Sequence, residues 1–143
     1  MEQREPAPIE TFRGVAYPWF CDSMGHMNTQ HYCSMFDVAT FHLLACFGGF
    51  RAFKEKNWGW ADRKQTITYD KEVASGDLLI VRSELLRAGR TSITFLHRMT
   101  DQESGEPRAS SENVTVFFDL KARSAMPLTG EMLAIAEGLK AKP

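Results

Sequence analysis

Long apolar runs are what this sequence most plainly lacks. No stretch approaches the roughly 20 apolar residues that a bilayer-spanning helix needs, and the N-terminal "MEQREPAPIE" has no apolar core of the secretory-leader kind. Cysteine is scarce. There are three, an odd number without CxxC spacing, which argues against a disulfide framework and for a reducing compartment. Net charge is almost absent as well: 17 Lys and Arg against 18 Asp and Glu leave −1, no broad field for nucleic acid or an anionic membrane. Internal repeats and low-complexity segments are missing too. These absences lead us to expect a cytoplasmic protein with neither nucleic-acid nor membrane partners.

What is present is ordinary for a globular chain: 143 residues, 43% hydrophobic and 24% charged. That is one domain's worth, able to bury about two-thirds of its unfolded surface. Pro6 and Pro8 mark residues 1–10 as a loose arm ahead of a single domain over 11–143. "TFRGVAYPWF" alternates as a first strand that frays at Pro18. From Asn28, a good N-cap, Tyr32, Phe36, Ala39, Leu43 and Phe47 recur at three- and four-residue steps, and Gly48-Gly49 stops the pattern. This predicts a helix of about 20 residues, roughly 30 Å long.

After a Trp-containing connection the period falls to two. "DRKQTITYD" reads as a strand and "EVASGD" as a turn. "LLIVRSELLRA", "TSITFLHRMT" and "RASSENVTVFFDL" follow as three more strands. Links this short predict an antiparallel meander. "TGEMLAIAEGLK" reads as a closing helix. One long helix with about five antiparallel strands is an α+β architecture, in which the sheet must curve to wrap the helix. That order of elements is that of the hotdog fold. Its open edge, and one of the adjacent Phe117 and Phe118, would need cover from another subunit, so a homodimer or homotetramer is expected.

The chemistry concentrates in "WFCDSMGHMNTQHYCSMF". An acid, a flexible glycine and a histidine (Asp22, Gly25, His26) stand just ahead of the Asn28 helix. A carboxylate beside the positive end of a helix dipole is either a plain capping arrangement or the core of an acyl-transfer site. Asn28 reads as a cap whose amide could also face substrate. His26 could orient Asp22 or meet the acyl group, or simply bond to backbone. A Cys21–His26 nucleophile pair is disfavoured by strand alternation, and Cys33 and Cys46 read as core residues. With neither H-E-x-x-H nor CxxC, no metal is expected. Trp19, Trp58 and Trp60, with Tyr17, could line an acyl pocket or cage a quaternary ammonium group, or be packing alone. Arg87 and Arg90 around Ala88-Gly89, and Arg123 after the last strand, suit CoA phosphates or are solvated turn residues.

"D-S-M-G-H-M-N-x-x-x-Y" before the helix resembles the motif of hotdog acyl-CoA thioesterases of the 4-hydroxybenzoyl-CoA thioesterase type. "ITYDKEVASGDLLIVRSELLRAGRTSITFLHRM" and "SSENVTVFFDL" are similar to that family's later strands, so the likeness covers about residues 10–128. "GHM" with the "FLHRM" strand is also similar to thioesterases of carnitine breakdown, which act on betainyl-CoA. The resemblance implies hydrolysis of an acyl-CoA substrate without a cofactor. It implies Asp22 as general base or nucleophile, and the Thr29 backbone N–H as the group that polarises the thioester oxygen. Several relatives carry D-x-A-G with a less polar continuation where this chain has His26 and Asn28, so the motif does not carry the acyl group with it. A hydratase or dehydratase acting on acyl thioesters, or a non-catalytic acyl-CoA-binding module, would use the same fold.

Overall fold

Tyr32, Phe36, Ala39 and Leu43 share one stripe, and the computed structural model, which describes residues 6–143, winds them into helix α1 (Thr29–Leu44). All four are buried, as is Phe47 beyond them. The α-helix is shorter than its apolar pattern: after 16 residues it tightens into a 3-10 turn over Ala45–Phe47. Such a turn satisfies end carbonyls that an α-helix leaves open. Gly48 then turns away at φ 140, and a Cβ there would meet the Phe53 ring at 2.7 Å.

Strand β1 (Ile9–Val15) takes in two positions expected in the N-terminal arm and stops before Pro18. Residues 1–5 of that arm lie outside the described residues. Pro18–Phe20 form a 3-10 turn rather than the end of a strand, because proline fixes a helical φ and cannot donate to a ladder. The Trp-containing connection is also corrected. Phe50–Glu55 form a short helix α2, and both tryptophans fall inside β2 (Trp58–Tyr69). Next come β3 (Leu78–Ala88), β4 (Ser92–Asp101), β5 (Pro107–Asp119), a two-residue β6 (Ser124–Ala125) and α3 (Gly130–Gly138).

The sheet order is β1-β3-β4-β5-β2, with every neighbouring pair antiparallel. Only β3, β4 and β5 are therefore a meander; β2 does not pair with β3 as its short link suggested. Both edges of β3 are taken, by β1 and β4, so β2 pairs along the outer side of β5, from Trp58 opposite Asp119 to Tyr69 opposite Ala109. The intervening residues 70–77 cross the end of the sheet. Asp70 and Lys71 donate backbone N–H groups to the Arg108 carbonyl, and Gly76 donates to Ala16.

The core beneath α1 has two parts. Phe36, Ala39, Leu79, Val81 and Met99 pack at one end, and Leu43, Leu85, Ile93, Phe95 and Phe117 at the other. Between them each element contributes a polar residue instead: Thr40 from α1, Ser83 from β3, His97 from β4, and Ser111 and Asn113 from β5, all buried. Among the described residues no helix is long and apolar enough to cross a membrane.

Candidate active site

Asp22 sits in a tight loop closed at both ends. Its backbone N–H donates to the His26 carbonyl at 3.1 Å, and Gly25 N–H donates back to the Asp22 carbonyl at 2.9 Å. The reversal passes through Gly25 at φ 83, a conformation that glycine adopts without steric cost. The crossing segment braces this loop: Met27 N–H donates to the Val73 carbonyl, and His26 bridges to Ala74. A link that reads as a simple turn in the sequence thus becomes the floor on which the acidic loop rests.

Asn28 joins loop to helix through one amide. Its Oδ1 accepts from Gln30 N–H at 3.1 Å and caps α1, while its Nδ2 donates to Asp22 Oδ2 at 2.8 Å. Asp22 Oδ1 accepts from Met24 N–H at 2.9 Å. The Asn28 amide, and after it the Met24 N–H, hold the Asp22 carboxyl below the usual carboxylate range, although the group is fully exposed. It is therefore ionised at neutral pH, with both oxygens oriented and each keeping a free lone pair. At the first turn of the helix, His31 N–H donates to the Asn28 carbonyl, whereas among the described residues the Thr29 N–H has no acceptor. A fixed carboxylate and an unspent helix-terminal donor thus flank the same residue, Asn28.

The remaining expected residues divide between two places. The His26 side chain turns to the crossing segment, where its Nε2 lies 3.1 Å from Glu72. Trp19 stays beside the loop, stacked flat on Tyr17 with centroids 4.6 Å apart, and is 72% exposed. Trp58 and Trp60 lie at the other end of the sheet. They pack against Phe53 and Phe117 and line an apolar cleft of about 390 Å³ with Phe41 and Phe50. The four aromatics expected together therefore form two separate groups, because β2 runs antiparallel along β5 and carries its tryptophans away from the loop. Arg87, Arg90 and Arg123 are exposed at that same far end. Arg123 lies 5.5 Å from the Phe118 ring, and among the described residues none of the three makes an ion pair.

A larger cleft of about 720 Å³ runs between α1 and β2, from Gln30 at the first turn of the helix to Thr40. Asp37, Asp62, Gln65 and Asn113 also line it. Cys33, expected in the core, is exposed here instead and donates to Gln65 Oε1 at 3.5 Å, because it lies on the flank of α1 that faces β2. Cys21 is partly buried, with its thiol toward the Tyr17 carbonyl. The sequence did not point to this cleft, since β2 had been expected beside β3.

The architecture is that of the hotdog fold. YbaW, a probable thioesterase from Escherichia coli, superimposes with a TM-score of 0.79 at 22% identity, covering 90% of this chain and 98% of that one. The chain belongs to the thioesterase-like superfamily, whose family model matches residues 17–136. Two curated relatives are similar in sequence. One is the L-carnitine dehydrogenase/betainyl-CoA thioesterase of Rhizobium meliloti, 29% identical over 82% of this chain; this chain spans only 24% of that protein's length. The other is the betainyl-CoA thioesterase of Pseudomonas aeruginosa, 26% identical over 92% of this chain and 83% of its own.

Proposed function

We propose that this protein hydrolyses an acyl-CoA thioester to the free acid and CoA at Asp22, working in the cytoplasm as a homo-oligomer. The observation that carries the reading is the pairing of the oriented, ionised Asp22 with the unspent N–H of Thr29, held together through Asn28. Hydrolysis needs an oxygen delivered to the thioester carbon and a donor for the charge that grows on the carbonyl oxygen. Asp22 supplies the first, by attacking directly or by taking a proton from a water that attacks. Thr29 N–H, at the positive end of the helix dipole, supplies the second. Collapse of the adduct breaks the C–S bond. The acyl carbon keeps the oxygen, the CoA thiolate takes up a proton, and in the direct route water then opens the acyl-aspartyl anhydride.

A hydratase would want a histidine base facing the carboxylate, and the contact of His26 with Glu72 argues against that pairing. Within one chain Arg87, Arg90 and Arg123 lie far from Asp22, so in this reading they meet the CoA phosphates at the loop of a second copy. Trp58 and Trp60 line the neighbouring apolar cleft. The names of the two curated relatives make betainyl-CoA the first thioester to assay, with the open face of Trp19 available to a quaternary ammonium group.

The test is thiol release from a panel of acyl-CoA thioesters by wild type and Asp22→Asn. The amide keeps the shape but neither attacks nor takes a proton, so turnover should fall by about a hundred-fold or more with the circular dichroism unchanged. Near wild-type rates in the variant would remove Asp22 from the mechanism. Water addition without thiol release would identify a hydratase, and binding without turnover a carrier module.

A further inference from the structure

The belt of polar residues that divides the core is a single hydrogen-bonded chain, and it surfaces in the α1–β2 cleft. Thr11 Oγ1 lies 3.3 Å from the Val81 carbonyl and 2.7 Å from Ser83 Oγ. Ser83 Oγ lies 2.5 Å from His97 Nδ1. Burial lowers the His97 pKa to about 4, so the ring is neutral at physiological pH, with one nitrogen donating and the other accepting. Thr40 Oγ1 stands 2.8 Å from His97 Nε2 and 3.0 Å from the Phe36 carbonyl.

The far half of the chain fixes Asn113. Asn113 Nδ2 donates to Thr40 Oγ1 at 3.4 Å, and Asn113 Oδ1 accepts from Ser111 at 2.7 Å. Ser111 in turn accepts from Gln65 Nε2 at 3.3 Å. Asn113 is thus fixed from below on both its atoms. One N–H of its amide is spent on Thr40, and among the described residues the other has no acceptor. The residue is 5% exposed, and what remains of it lines the cleft. Burying a half-satisfied amide is unfavourable unless something completes it. A ligand oxygen in the cleft would do so.

We propose that Asn113 is a specificity-determining residue whose spare amide N–H binds an oxygen acceptor at the distal end of the acyl group, with His97 and Thr40 as positioning residues that hold the amide in that orientation. The proposal rests on the thioesterase reading. Between Gln30 and Thr40 the cleft follows about 15 Å of helix axis. A carbonyl held at the N-terminus of α1 therefore places only the far end of an extended acyl group at Asn113. A betainyl group is too short to reach it. The substrates this subsite discriminates are accordingly extended acyl-CoA thioesters bearing a distal hydroxyl, ether or carbonyl oxygen; a betainyl thioester would react without it.

The experiment compares kcat and KM for straight-chain acyl-CoA thioesters of six to twelve carbons, each with and without a terminal hydroxyl, in wild type, Asn113→Leu and His97→Gln. At one chain length wild type should prefer the hydroxylated thioester by about ten-fold in kcat/KM. Asn113→Leu should abolish that preference, mainly through a raised KM for the hydroxylated series, with its circular dichroism unchanged. His97→Gln should weaken the preference in the same direction, whereas a purely structural role would lower both series equally. A wild type blind to the hydroxyl at every length overturns the proposal, as does an Asn113→Leu enzyme that retains the preference. Thiol release that is present but hydroxyl-blind defeats this inference alone; no thiol release from any thioester defeats the hydrolytic reading beneath it.

Discussion

Asn28 does two things with one amide: it caps α1 and it orients Asp22. Its identity as a cap was legible, because asparagine before an apolar helical stripe has few other uses. Its hold on Asp22 was not, because six residues of sequence separation say nothing about a contact that needs the Gly25 reversal to close. His97 is the opposite case. In "TSITFLHRMT" it looks like one more alternating residue, yet it is fully buried and neutral. Its pKa is lowered from 6.5 to about 4, so between those values the unfolded chain binds the proton and the folded one does not. The contribution of a neutral His97 is therefore whole above about pH 6.5 and is lost as pH falls toward 4, amounting to about 3 kcal/mol. Thermal melts from pH 7 to pH 4.5 should show wild type losing stability faster than His97→Gln. Parallel curves would mean that His97 takes up its proton as readily in the folded protein as in the unfolded chain.

At the scale of elements, the first turn of α1 is where folding and chemistry meet. Asn28 has φ −70 and ψ 148, the extended conformation that a following proline requires. Thr29 is the first helical residue, where proline is well tolerated and only an N–H is lost. Thr29→Pro should therefore leave the melting temperature within a few degrees of wild type and lower kcat by about 10² to 10³, while Thr29→Ala, which keeps the N–H, stays near wild type. A Thr29→Pro enzyme with full turnover would take this donor out of the reaction. The strands were legible to within a residue where alternation was clean, as in β4. Their order was not. The eight-residue link from β2 reads as a turn, and only the occupation of both β3 edges sends β2 across to β5.

For the molecule as a whole, the outer edge of β2 runs twelve residues, from Trp58 to Tyr69, without a partner strand among the described residues. Phe41 is 64% exposed and Phe50 77% exposed beside it. Long bare edges next to apolar surface invite pairing. Association along this side would bring the arginines of one copy toward the Asp22 loop of another and close the clefts against water. Light scattering at low micromolar concentration should report a particle of at least twice the 16.2 kDa chain mass, with activity lost on dilution to monomer. A fully active monomer would overturn both the assembly and the shared site.

By itself the sequence determined what depends on near neighbours along the chain. That comprises the helix and its cap, the periods of the strands, the absence of a membrane-length run, and the acid placed ahead of a helix N-terminus. Each is set by local backbone preference and by which side chains repeat at 3.6 or 2 residues. Tertiary structure alone decided the rest: β2 at the edge, the tryptophans parted into two groups, the α1–β2 cleft, and the polar chain from Thr11 to Gln65. These join residues as many as 73 positions apart, as Thr40 and Asn113 are. Whether a buried serine or histidine finds a partner depends on which strands lie side by side. That order is settled by competition for sheet edges across the whole core, and no local pattern records it.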